Sequence, residues 1–200
     1  MSDAGSPDAY VHPSALVEDG ARLGPGAKIW HHAQIRRDAD IGARCIVGKG
    51  AFVDFGVRIG PDSKLQNYAC VYHGVTLGRG VFVGPHVVFT NDKRPRAVAP
   101  DFGLLGDGDW DVGETVVGDG ASFGANATVL PGVSVGAWAM IGAAALVTRD
   151  VPAYALVAGA PARRIAWVCA CGTRLGDDAT SCPRCGELPA DHPLRESLQR

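Results

Sequence analysis

The sequence predicts an all-β protein: a parallel β-helix of stacked six-residue repeats, with one inserted loop and a small C-terminal zinc-ribbon-like appendage. Three observations carry this. An apolar residue recurs at every sixth position, the recurrence lapses between Thr90 and Val116, and four of the six cysteines fall between Cys169 and Cys185.

The repeat begins at Val11 and continues through Val17, Leu23, Ile29, Ile35, Ile41, Val47, Val53, Ile59, Leu65, Val71, Leu77, Val83 and Phe89. A small or β-branched residue follows four positions after each, as at Ala15, Ala21, Ala27, Cys45, Ser63 and Val87. A helix needs a period of 3.6 and a simple strand a period of 2. Period six asks instead for a short strand and a sharp bend, repeated, and three such units close a triangular coil. The large aliphatic fills the prism, the small residue lies beside it, and the glycines after the aliphatics (Gly24, Gly42, Gly48, Gly60, Gly78, Gly84) sit where a Cβ would be awkward. Cys45 occupies one of the small inward slots and reads as core.

After Thr90 the rhythm stops, and it resumes in a new phase at Val117, Phe123, Val129, Val135, Ile141 and Val147. Residues 90–116 therefore read as a loop that leaves the prism and returns. Loops of this length inside a compact repeat are uncommon and usually functional. This one carries Asp92, Lys93, Arg94, Arg96, Asp101, Asp107, Asp109 and Asp111 among glycines, a composition that cannot pack as core.

The prism is expected to span residues 10–168. Beyond it, Cys169-x-Cys171-Gly and Cys182-Pro-x-Cys185-Gly over residues 169–188 point to one tetrahedral thiolate site for a structural zinc. The first pair has one intervening residue where two are usual. Residues 189–200 read as a polar tail expected to fray.

The totals exclude several classes. A net charge of -2 with scattered basic residues leaves no footprint for nucleic acid. No stretch approaches the roughly 18 apolar residues of a membrane span, and the first ten residues lack a signal-type apolar core, so a cytoplasmic protein is expected.

Together these residues resemble the left-handed β-helix acyltransferases, a superfamily of trimeric enzymes that use acyl-CoA or acyl carrier protein. The left hand comes from the resemblance, since crossover connections are ordinarily right-handed. "TRDVPAYALVAGAPARRIAW", 148–167, looks like the end of the prism in these enzymes, where a Gly-x-Pro-Ala loop lies by the CoA. The closer similarity is to N-acetyltransferases of nucleotide-linked 3-amino sugars, including those acting on UDP-2-acetamido-3-amino-2,3-dideoxyglucuronate. It rests on "HPSALVEDGARLG", "IWHHAQI", "LQNYACVY", "VFVGPHVVFTNDKRPRA" and "GASFGANATVLPGVSVG". The resemblance implies acetyl-CoA as co-substrate, a nucleotide-linked amino sugar as acceptor, a homotrimer, and a place beside the reacting amine for Asn91 of "FTN". At "VYHG" the glucuronate enzymes tend to carry Asp where this chain has His73, which leaves the sugar open.

The spacing points to the same corner. Asn91 follows His73 by one coil of 18 residues, and both stand two positions after a core residue, where side chains project outward. Asn91 can orient an amine through its side-chain carbonyl, and imidazole at His73 is suited to general-base work. Arg94 and Arg96 suit phosphate or sugar carboxylate, or else ion pairs with the neighbouring aspartates. Gln66, Asn67, Trp30 and His31 are further candidates for the acceptor, although corner Asn residues also stabilise turns. For CoA the candidates are Gly142 and Ala160 beside pantetheine and Arg163 and Arg164 at the phosphates.

Two other classes stay in view: an O-acetyltransferase of a small hydroxylated acceptor, and a non-catalytic β-helix assembly module. A His-bound metal, as in β-helical carbonic anhydrases, is disfavoured because His32 and His86 lie three coils apart with no close His triplet.

Overall fold

A computed structural model describes residues 8–106 and 108–197. Its body is a left-handed parallel β-helix with three faces, built from strands mostly two residues long. The first face starts at Tyr10–Val11 and Lys28–Ile29 and continues coil by coil to Met140–Ile141 and Ala155–Ala158. The second runs from Leu16–Val17 through Phe52–Val53, Cys70–Val71 and Val88–Phe89 to Leu146–Val147. The third runs from Arg22–Leu23 through Val75–Leu77 and Thr115–Val117 to Ser134–Val135. Paired residues are 18 apart, as in Lys64↔Phe82 and Val71↔Phe89.

From Arg22–Leu23 onward, each two-residue strand of the prism places its second residue inward. Ile29, Ile35, Ile41, Val47, Val53, Leu65 and Val71 are all fully buried, and so are the small partners Ala27, Ala33, Ala39, Cys45 and Ala51. Burying such an aliphatic contributes about 1.5–3 kcal/mol, and the six-residue rhythm repeats that gain along the whole axis. Phe89 and Phe123 meet edge to face at 5.0 Å and fill the prism where the loop interrupts it.

The glycines serve two distinct purposes at the corners. A Cβ on Gly42 would lie 2.5 Å from the Pro61 nitrogen of the next coil, and one on Gly60 2.5 Å from the Gly78 carbonyl carbon, so these positions let coils stack. Two residues further along each turn the backbone adopts positive φ, at Gly50, Gly56 and Gly80 but equally at His32, Arg44 and Tyr68. Corner side chains then tie coil to coil: Asn67 Oδ1 accepts from the Lys49 amide at 3.0 Å, and Asp119 Oδ1 from the Arg79 amide at 2.8 Å.

The inserted loop is shorter than its apolar rhythm suggests. The third face already resumes at Thr115, whose fully buried side chain takes the small inward slot opposite Val75, so the excursion ends at Glu114 and not at Val116. Its ends are tied together where the Asn91 carbonyl accepts the Gly113 amide at 2.9 Å. Its middle forms a small antiparallel turn with Val98 opposite Leu104.

The parallel coils stop earlier than residue 168. Arg163–Val168 turns back antiparallel on Ala155–Ala158, and Arg174–Leu175 adds an antiparallel strand beyond it. Residues 189–197 are also unlike the fraying tail expected from their polarity. Leu188, His192 and Leu194 are buried, the last two because the chain ends in a short helix, Pro193–Ser197, that folds onto the appendage. Positions 198–200 lie outside the described residues. Among the described residues no helix is long and apolar enough to cross a membrane.

Candidate active site

The corner after the second face carries the chemistry. The pairing Val71↔Phe89 sets Asn91 one strand spacing from His73, as the 18-residue step predicts. The same step downward reaches Phe55, on which the His73 ring stacks at 4.0 Å and 16°. His73 Nδ1 lies 2.9 Å from the Phe55 carbonyl oxygen. A carbonyl only accepts, so Nδ1 carries the hydrogen and Nε2 of the neutral ring keeps its lone pair. The backbone beneath is held by Asp54, which is 8 % exposed: Oδ1 accepts from Phe55 N–H at 2.8 Å and Oδ2 from His73 N–H at 3.2 Å. Arg36 links this carboxylate, at 3.5 Å, to Glu18 of the coil below, at 2.7 Å. Arg37 lies over the other part of the stack, 5.0 Å from the Phe55 centroid.

The loop settles directly on this corner. Gly74 has φ +89°, so the backbone beside His73 favours glycine, and a Cβ built there would lie 2.5 Å from Val112 Cγ1 of the loop, which packs closely on this corner. Above it opens a cleft of about 810 Å³ lined by Asp92, Lys93, Arg94, Trp110, Asp111 and Val112. A neighbouring cleft of about 360 Å³ shares Asp92 and Trp110 and includes Arg96. Arg94 approaches Asp111 only at 3.9 Å, with both side chains almost wholly exposed, which leaves its guanidinium available. Arg96 donates to the adjacent Pro95 carbonyl at 2.9 Å.

Four other candidates gather elsewhere. Trp30, His31, Gln66 and Asn67 line a groove of about 310 Å³ with Gly48 and Lys49, at the corner between the first and second faces. Within one chain a whole face separates them from His73. Trp30 and His31 stack on one another, His31 stacks on His12, and Trp30 meets Tyr10 at a tilt of 57°. Asn67 also performs the turn-stabilising task already noted.

The residues expected near CoA have local partners. A Cβ on Gly142 would meet Ala158 Cβ at 3.0 Å, so this glycine is explained by coil packing. Ala160 is exposed at the loop before Pro161, and Arg163 donates to the Ala162 carbonyl. Arg164 is bound to Asp177 at 2.7 Å and lies 4.6 Å over Trp167, which ties it to the appendage. There the four cysteine sulfurs lie within 4.8 Å of one another, the sole cluster of three or more potential metal ligands among the described residues. His86 stacks on Tyr68 at 5.1 Å.

Known proteins share this architecture. A family model described as "Bacterial transferase hexapeptide (six repeats)" matches residues 56–91, and one described as "Hexapeptide repeat of succinyl-transferase" matches 39–68 and 114–149. Prism and repeat define a left-handed β-helix of hexapeptide type. Three matched stretches of this chain thus carry the repeat of hexapeptide transferases. It is 46 % identical over 77 residues to a dTDP-3-amino-3,6-dideoxy-alpha-D-galactopyranose 3-N-acetyltransferase of Aneurinibacillus thermoaerophilus, covering 38 % of this chain and 40 % of that one. It is 44 % identical over 66 residues to a chloramphenicol acetyltransferase of Agrobacterium fabrum, covering 33 % and 32 %. The matched stretches thus span less than half of either relative. The fold is also that of the acetyltransferase domain of PglB from Neisseria gonorrhoeae, solved with acetyl coenzyme A, at a TM-score of 0.50 and 21 % identity over 79 % of this chain and 58 % of that one.

Proposed function

We propose that the protein is an acetyl-CoA-dependent N-acetyltransferase acting on the amino group of a nucleotide-linked amino sugar, with His73 as general base and Asn91 orienting the amine. The observation that supports this is the His73 ring, fixed on Phe55 through Nδ1 so that Nε2 keeps its lone pair, one coil from the Asn91 at which the inserted loop begins. The similarity to the dTDP-3-amino-sugar acetyltransferase supports the choice of acceptor.

The neutral amine attacks the thioester carbonyl carbon, and the tetrahedral adduct expels the CoA thiolate as the amide forms. The proton lost by nitrogen passes to His73 Nε2 and from there to the thiolate, so the ring ends as it began. Orientation supplies much of the rate, because transfer to an amine needs alignment more than strong base. The exposed guanidiniums of Arg94 and Arg96 are suited to the acceptor's phosphates or carboxylate. Arg163, at the end of the prism beside Ala160, remains the candidate for the phosphates of CoA.

A homotrimer completes the site in this reading. The outward side chains of the second face are largely apolar, with Leu16 56 % exposed and Phe52, Cys70, Val88 and Leu146 half-buried. Tyr72 extends the patch beside Phe52 at 5.5 Å. Its two flanking corners carry His73 on one side and Trp30 and Gln66 on the other, so a second copy covering this face would bring both groups to the interface. A zinc ion on the four thiolates would be structural, with no ligand position left for substrate. Acetyl-CoA and unoxidised thiols fit a cytoplasmic enzyme.

Incubation with acetyl-CoA and a panel of UDP- and dTDP-linked 3-amino and 4-amino sugars, followed by thiol release, tests the reading. Turnover of at least one amine is expected. Activity confined to a hydroxyl acceptor would reassign the enzyme as an O-acetyltransferase, and no acetyl-CoA binding by calorimetry would leave an assembly module.

A further inference from the structure

The solenoid has an open upper end, and its C-terminal appendage is built over it. We propose that Cys169, Cys171, Cys182 and Cys185 hold one zinc ion, and that this metal locks a cap whose task is to keep the last coil from pairing with another molecule. The second part rests on the reading of the site as structural.

The sulfur geometry fits a metal. Sγ of Cys169 lies 3.4 Å from that of Cys185, and Sγ of Cys171 3.6 Å from that of Cys182. A disulfide holds its sulfurs at about 2.05 Å. A tetrahedron with zinc–sulfur bonds of about 2.3 Å spaces them near 3.8 Å. Both pairs also stand on tight turns that present two sulfurs each. The Gly172 amide donates to the Cys169 carbonyl at 2.8 Å, and the Gly186 amide to the Cys182 carbonyl at 2.9 Å. Around the sulfurs are only a few apolar side chains, Leu175, Leu188 and Leu194 with Trp167 against them. A core of that size does not hold a fold by itself, so a cross-link through metal is what the segment needs.

What the segment covers explains why it is there. A parallel β-helix ends in a strand with unpaired backbone groups, a template for association with another chain. Here Ala155–Ala158 is paired by Arg163–Val168, and that strand by the two-residue strand Arg174–Leu175. The first cysteine pair forms the turn between these last two strands. The chain after the second pair comes back across the end: His192 Nε2 donates to the Val168 carbonyl at 3.0 Å, while its Nδ1 accepts from Leu194 N–H at 3.2 Å. Tyr154, almost fully buried in the final coil, donates its hydroxyl to Asp191 at 2.8 Å. Arg164 to Asp177 at 2.7 Å closes the other side. Remove the metal, and these contacts have to hold the returning segment without their hinge.

The test uses the full chain expressed with zinc supplied. Elemental analysis is expected to give about one zinc per chain, and cobalt substitution to give thiolate-to-cobalt charge-transfer bands with intense tetrahedral d–d absorption. Stripping zinc is expected to lower the melting temperature and to produce species larger than the native assembly in light scattering. Tyr154→Phe combined with Asp191→Asn keeps all four thiols, and should retain zinc while weakening the cap and favouring the same larger species. Zinc content far below one per chain, with no cobalt–thiolate spectrum, overturns the metal site. One zinc per chain, with native size and melting in both the stripped protein and the double variant, overturns the cap and leaves the metal site standing.

Discussion

Which nitrogen of His73 holds the hydrogen is decided by a backbone carbonyl, and the activity should reveal it. His73→Ala is expected to lower kcat by about 10²–10⁴-fold, the usual worth of a positioned general base, with recovery as pH rises and the acceptor amine loses its own proton. A loss confined to KM, with kcat unchanged, would instead make His73 a binding residue. His73 and Asn91 were legible in the sequence because they are one 18-residue step apart and the rhythm stops beside them. Phe55 obeys the same step, with Asp54 one place before it, but a Phe two places after a core residue looks like ordinary surface in the sequence. The local partners of Arg164 were hidden for a different reason. Its partner Asp177 sits on a chain that turns back antiparallel, and a six-residue period contains no information about that return.

At the scale of a coil, two glycine replacements should separate stacking from backbone geometry. In Gly124→Ala the new Cβ would meet the Ala143 nitrogen at 2.5 Å, whereas in Gly80→Ala it meets nothing within 4 Å and suffers only φ +66°. Thermal denaturation should show the first variant destabilised by about 1–3 kcal/mol through overpacking and the second by about 1–2 kcal/mol through the left-handed backbone. Acid should loosen the corner held by Asp62. Asp62 accepts from Arg44 at 2.6 Å and from Arg79 at 3.0 Å, and these guanidiniums hold its pKa below the ordinary carboxylate value. A depressed folded value means that the stabilisation is complete above the unfolded pKa and is lost as pH falls through the folded one. Asp62→Asn should therefore flatten the acid limb of a denaturant-midpoint profile, and added salt should reduce the difference because the group is at the surface. Elements of this kind were readable in advance, since the apolar period fixes which residue points inward. The loop's return two residues early was not, because Thr115 is polar by composition and buried by position.

For the whole molecule, the proposed trimer makes the apolar second face the surface to test. Phe52→Glu places a charge on it, and is expected to yield smaller particles in light scattering with loss of turnover, while circular dichroism stays that of a β-helix. Intact assembly in that variant would remove the shared-site arrangement.

Strands on either side of the excursion pair at a separation of 40 residues, as in Leu77↔Val117, where 18 is the rule elsewhere. Deleting 92–113 would restore a six-residue interval between Phe89 and Val117, so the shortened chain is expected to fold and melt within a few degrees of the parent while losing affinity for its acceptor. The excursion then behaves as an exchangeable cartridge in a rigid rack: acceptor preference can be rewritten, by selection or by grafting, without renegotiating the stability of the coils that carry it.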